Sequence, residues 1–166
     1  NLALTSSASQ STTLTNAATP DASKAIDGNL ANAFGSGSTT HTVVGAGGAV
    51  FWETLLSSVS QINEISLYNR GDCCQDRLSN FRVSVFDGTT EVWGENYFEG
   101  TGNAGPIFSM QEDTGGFFAT GDRIRVELIG GINNSATGPD VLSLREVEIY
   151  GVAIPEPTGV SLLGLA

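Results

Sequence analysis

Two arginines and both cysteines of the chain fall inside one octapeptide, Arg70-Gly71-Asp72-Cys73-Cys74-Gln75-Asp76-Arg77. Lys and Arg total 7 against 18 Asp and Glu, a formal net charge of −11, so this clustering of scarce positive charge needs a chemical reason. Guanidinium groups stay charged and hold a rigid fork of N–H donors. Adjacent cysteines add a small sulfur surface. The combination suits a compact ligand that takes hydrogen bonds on one side and an apolar contact on another. Chemistry alone leaves the cysteines open. Neighbouring Cα atoms lie about 3.8 Å apart, short of the roughly 4.4–6.8 Å of ordinary disulfides, so a strained bridge and two reduced thiols are both allowed. His41, the single histidine, offers a donor or an acceptor according to its tautomer.

These groups need a scaffold, and composition narrows its type. At 166 residues the chain fits one domain that buries a real core without cross-links. With 21 glycines, only 15% charged residues and no long amphipathic helical stretch, it reads as a turn-rich all-β fold. Apolar or alternating runs at Val50–Leu55, Ile62–Tyr68, Phe81–Phe86, Arg123–Ile129 and Leu144–Val152 are expected strands. Asp87-Gly88 closes the third as a hairpin turn. Alternation sends Arg82, Arg123 and Arg125 outward, to water. Residues 1–19 read as extended chain or an edge strand, and Ala25-Ile26-Asp27-Gly28-Asn29 as a turn with a buried anchor.

Together, three segments resemble the F-type lectin (fucolectin) family, a jelly-roll-like β-sandwich related to discoidin domains. They are Asn1-Leu2-Ala3-Leu4 with Ala8-Ser9-Gln10-Ser11, then Ala22-Ser23-Lys24-Ala25-Ile26-Asp27-Gly28-Asn29 leading to Ser38-Thr39-Thr40-His41, and Asn69 through Arg77. The likeness runs on through Leu142–Ile149. It implies a non-enzymatic lectin for L-fucose and fucosylated glycans. His41, Arg70 and Arg77 would bind the sugar, and Cys73 and Cys74 would form a vicinal disulfide facing its C–H groups. Phe34 would either pack near its methyl or serve as a core anchor, and Asp72 would support the loop by pairing with a basic group.

The same resemblance implies a structural Ca2+ held by the side chains of Asp27 and Glu146, the carbonyls of Lys24, Asn29 and Arg145, and the carbonyl and hydroxyl of Ser38. A hard cation wants six to eight such oxygens. Some family members join the positions of Thr39 and Arg145 by cysteines, and this chain does not. The spacing from His41 to Arg70 is slightly longer than the family's usual one, with Gly45-Ala46-Gly47-Gly48 absorbing the difference.

The lectin domain is expected over residues 1–152. Residues 153–166 contain Pro155-Glu156-Pro157 and a short apolar run, and resemble the start of a bacterial PEP-CTERM sorting tail, disordered or a truncated anchor. That implies an exported bacterial protein, secreted or at the cell surface. The negative surface argues against nucleic acid and direct membrane binding. An oligomer is compatible with these features. An accessory carbohydrate-binding module of a larger surface protein or glycosidase is the alternative. An enzyme fits less well: no carboxylates near His41 or Arg70 form a recognisable acid–base arrangement, and Gly-x-Ser-x-Gly is absent.

Overall fold

A computed structural model describes residues 1–45, 47–98, 107–112, 114–129 and 140–155. It is a β-sandwich of seven antiparallel strands: β1 (Ser7–Gln10), β2 (Phe51–Asn69), β3 (Phe81–Asp87), β4 (Thr90–Tyr97), β5 (Ile107–Gln111), β6 (Ala119–Leu128) and β7 (Leu144–Ala153). The all-β expectation holds, and its single long surprise is β2. The two runs expected at Val50–Leu55 and Ile62–Tyr68 are one strand of 19 residues. Its first part pairs β1 and β6, and its last part pairs β5 and β7, with register shifts in the β6 ladder between Leu55 and Ser60 and in the β7 ladder between Ile62 and Glu64. One strand therefore serves both layers, five strands (β1-β2-β6-β3-β4) facing three (β5-β2-β7).

The core lies between these layers, where β-branched and aromatic residues alternate inward. Trp52, Ile62, Ile65, Leu67, Phe81, Val83, Val85, Ile124, Val126, Leu144, Val147 and Ile149 are fully buried. Each large side chain contributes about 1.5–3 kcal/mol by leaving water. The Trp52 indole also donates to the Ala22 carbonyl at 2.9 Å, which ties the turn before Asp27 to the core.

Arg82, Arg123 and Arg125 face outward as alternation requires, yet they are engaged rather than simply solvated. Arg82 pairs with Glu91, Arg125 with Glu53 at 2.8 Å, and Arg123 lies 4.4 Å over the Phe86 ring. The N-terminal stretch divides into a short 3-10 turn, Leu2–Thr5, and β1 at the sheet edge. β7 ends at Ala153, one residue past the expected domain limit. Residues 156–166, which hold most of the tail motif, lie outside the described residues. No helix among the described residues is long and apolar enough to cross a membrane.

Candidate functional site

β2 ends at Asn69 and delivers Arg70 to the sandwich rim. The Asn69 side-chain amide donates to the Gln75 carbonyl at 2.9 Å, folding the octapeptide back onto the strand that carries it. Inside that loop Arg70 and Asp72 form a two-point pair, Nε to Oδ1 at 2.6 Å and Nη2 to Oδ2 at 3.1 Å. Asp72 Oδ2 also accepts the Phe34 backbone N–H at 3.2 Å. The hydrogen bonds from Arg70 hold the Asp72 carboxyl below the usual carboxylate range. Arg70 sits 4.6 Å over the Phe34 ring, whose edge meets His41 at 5.4 Å. Phe34 is therefore only half-buried, a side wall to the two bases rather than a core anchor. Asp72, expected as a support, pairs with Arg70.

Cys73 and Cys74 are joined by a disulfide, and Cys74 takes a left-handed conformation with φ 59°. The bridge is thus present where chemistry alone left it open. A 3-10 turn, Gln75–Arg77, follows and is pinned by fully buried Leu78. This turn aims Arg77 at His41, with Nη1 3.0 Å from Nε2. On the other side of the ring Nδ1 lies 2.6 Å from the Thr42 carbonyl, which can only accept. Nδ1 therefore carries the proton, and Nε2 presents its lone pair to Arg77. Burial, with the like charges of Arg77 and Arg70, holds His41 below its ordinary value of 6.5, in the neutral form. Burial and Arg70 likewise lower Arg77.

Backbone contacts fix His41 although it lies between β1 and β2 in sequence. Its N–H donates to Pro20 and its carbonyl accepts from Leu14, at 3.0 and 2.9 Å. Thr40 and Thr42 flank it and clasp the opposite segment. Thr40 N–H donates to Leu144 and Thr42 N–H to Leu142, while the two threonine hydroxyls accept from Leu144 N–H and Leu142 N–H at 2.9 Å each. This clasp occupies the region where a cysteine pair would join the positions of Thr39 and Arg145. The threonines were not singled out from sequence. Their only trace there is the Thr-His-Thr alternation, which puts two hydroxyls on one side and the imidazole on the other.

The second expected cluster is loosely assembled. Gly28, at φ 74°, turns its N–H to Glu146 Oε1 at 3.2 Å, a conformation that side chains rarely adopt. Glu146 is fully buried, its Oε2 has no hydrogen-bond partner, and burial raises its carboxyl to about 7, with the charge of Asp27 adding to the rise. Asp27 Oδ1 accepts from Asn29 N–H at 2.9 Å. Lys24 ends the 3-10 turn Ala22–Ala25, and the Ser38 hydroxyl donates to the Ala31 carbonyl at 2.6 Å. No group of three or more His, Cys, Asp or Glu side chains gathers among the described residues. A cation there would need backbone carbonyls besides the two carboxylates. An orphaned buried carboxylate oxygen next to a second carboxylate fits that need, since a lone buried charge is costly.

Asn32 links the two clusters. Its Oδ1 accepts from Arg145 Nη1 at 3.0 Å, and its side chain lies where a Cβ on Gly71 would fall. Any larger residue at position 71 would displace it.

The family model described as "NedA-like, galactose-binding domain" matches residues 24–114, which take in Asp27, His41 and the whole Arg70–Arg77 segment and stop short of Glu146. Fucolectin-4 of Anguilla japonica is 40% identical over 87 residues, 51% of this chain and 47% of that protein. The chain spans about half the length of the curated relatives it matches. A Streptococcus pneumoniae fucose binding module, SpX-3, superposes with a TM-score of 0.72 at 29% identity, covering 90% of this chain and 96% of that one. The lectin domain of lectinolysin complexed with Lewis B antigen gives 0.72 at 29%, covering 92% and 97%.

Proposed function

The chain belongs to the NedA-like, galactose-binding domain family and carries its F-type lectin (fucolectin) form, and we propose that it is a lectin for L-fucose and fucosylated glycans. It is a binding domain, not an enzyme. What supports the sugar reading most is the neutral His41 ring held in one tautomer between Thr42 and Arg77, beside an Arg70 already locked by Asp72.

L-Fucose carries no charge, so its hydroxyl oxygens take charge-assisted hydrogen bonds from Arg70 and Arg77 without salt-bridge neutralisation. His41 accepts from Arg77 and keeps it from swinging to water, so the remaining N–H donors of Arg77 stay available to an incoming hydroxyl. The rigid Cys73–Cys74 bridge offers a polarizable face for the ring C–H groups and the methyl. Phe34 walls the side next to Arg70.

Ca2+ would be held by Asp27 and Glu146 side chains, the carbonyls of Lys24, Asn29 and Arg145, and Ser38. When bound it would supply positive charge that neutralises the buried carboxylate. Glu146 and Arg145 follow directly on Leu144, which Thr40 clasps, so stiffening that strand end stiffens the His41 segment. The domain would act outside the cell or at the surface of the bacterium that exports it, an oxidising setting in which a disulfide persists. Service as a targeting module within a longer protein is the second reading, favoured by the likeness to a fucose binding module over nearly its whole length.

Calorimetric titration tests the first reading. L-Fucose should bind saturably at one site per chain, and L-galactose, which adds a hydroxyl to the methyl carbon, should bind more weakly. No heat with L-fucose, or equal affinity for both sugars, would reject it.

A further inference from the structure

Far from the arginine loop, the five-stranded layer overhangs the three-stranded one. β4 is its outer strand, and pairing of Phe81 with Tyr97, Val83 with Glu95 and Val85 with Trp93 puts those three β4 residues on the inward face. Among the described residues the other layer stops at β5, and none of its strands lies beneath this face. The result is a cavity of about 610 Å³ between β4, β5 and the start of β6, within the range that holds small ligands. β5 register sets Gln111 opposite Glu64, five residues up the strand from Asn69, roughly 17 Å from the arginine loop at ~3.3 Å per residue.

The cavity wall has a definite chemistry. Trp93 and Phe118 meet at 4.8 Å, and Tyr97 packs on Phe108 at 4.6 Å, which leaves half-buried aromatic surface at the mouth. Glu95 shares the inward side of β4 but is exposed, so its carboxylate opens to water at the cavity mouth, where the Tyr97 hydroxyl donates to its Oε2 at 3.1 Å. Gln111, Glu112 and Ser109 complete the rim, and the Thr114 hydroxyl fixes Glu112 Oε1 at 2.9 Å. None of the described residues lining the cavity is basic.

Aromatic faces present apolar surface to C–H groups, while carboxylates and an amide accept from hydroxyl or amino protons. The geometry points to a second saccharide site, for a neutral or amino sugar without anionic groups, at Trp93, Glu95, Tyr97, Gln111 and Glu112. It stands independently of the L-fucose reading, since it shares no residue with that site.

Trp93 gives a local readout. The chain has 2 tryptophans, and Trp52 is fully buried with its indole bonded to Ala22, so a ligand in the cavity changes Trp93 emission alone. The full chain is titrated with N-acetyllactosamine, with D-glucosamine and with N-acetylneuraminate, and with L-fucose in parallel. At least one of the first two should shift the emission saturably in the millimolar range, and N-acetylneuraminate should not. Gln111→Ala, at an exposed rim position, should weaken the response several-fold and leave L-fucose binding unchanged; calorimetry on Trp93→Ala should show the saccharide heat lost. No saturable emission change with either sugar, a response equal for N-acetylneuraminate, or a response indifferent to Gln111→Ala overturns the second site, whatever L-fucose does.

Discussion

The two clusters at the sandwich rim treat charge in opposite ways. Around Arg70 and Arg77 the polar groups find partners within the chain: Asp72 receives two bonds from Arg70, and His41 is held from both ring nitrogens. Around Glu146 one carboxylate oxygen is orphaned and a second carboxylate stands near. The first region is organised before any ligand arrives, so binding there need not order the side chains that make the contacts. The second carries a buried carboxylate whose charge is costly unless it is protonated or neutralised by a cation. The two regions are joined through Leu144, which Thr40 clasps on one side and which precedes Arg145 and Glu146 on the other.

The largest effect should come from breaking the preformed side. Arg77→Ala should lower L-fucose affinity by about 100-fold, since a charge-assisted hydrogen bond contributes roughly 1.5–3 kcal/mol, while the melting temperature stays within about two degrees. Asp72→Asn should cost roughly tenfold by calorimetry, because Arg70 loses its two-point brace but keeps its charge.

The second region should respond to metal and pH. Without Ca2+, the raised Glu146 carboxyl makes folding less favourable as pH climbs from the model-peptide range through about 7, since the folded state then binds more protons than the unfolded one. Chelated protein should thus melt lower at pH 8 than at pH 6. Added Ca2+ should raise the pH 8 transition by several degrees, and Glu146→Gln should flatten both responses in a thermal scan.

A smaller effect separates the two regions by pH. His41 sits below 6.5, so L-fucose affinity should stay level from pH 8 down to that value and fall only below it, as protonation removes the lone pair facing Arg77 and adds a third positive charge. The smallest change, a few-fold loss, is expected when a reductant opens Cys73–Cys74, with thiol titration to verify opening.

Much of this contrast was visible in the residues before any coordinates. Arg70, Asp72, Cys73, Cys74 and Arg77 lie in one segment, so their meeting needed only a loop, and the alternation of Phe81–Phe86 and Arg123–Leu128 marked β3 and β6. What stayed hidden depends on distance in sequence. The Thr40 and Thr42 clasp spans about a hundred residues and leaves no local mark. The polar stretch Ser57-Ser58-Val59-Ser60-Gln61 disguised β2 as two strands, because there the strand passes from one layer to the other and alternation lapses. β4 escaped for a related reason: its inward residues are Trp93, Glu95 and Tyr97 over an open cavity, so the apolar period is broken at its centre.

The most direct measurement is a crystal structure of the Ca2+-loaded protein soaked with L-fucose. The sugar should lie between Arg70, Arg77 and His41, its carbons against an intact Cys73–Cys74 bridge, with those side chains where they stand now and a cation between Asp27 and Glu146. L-Fucose bound elsewhere, or bound there only after Arg70 and Arg77 have moved off Asp72 and His41, would contradict a site organised in advance.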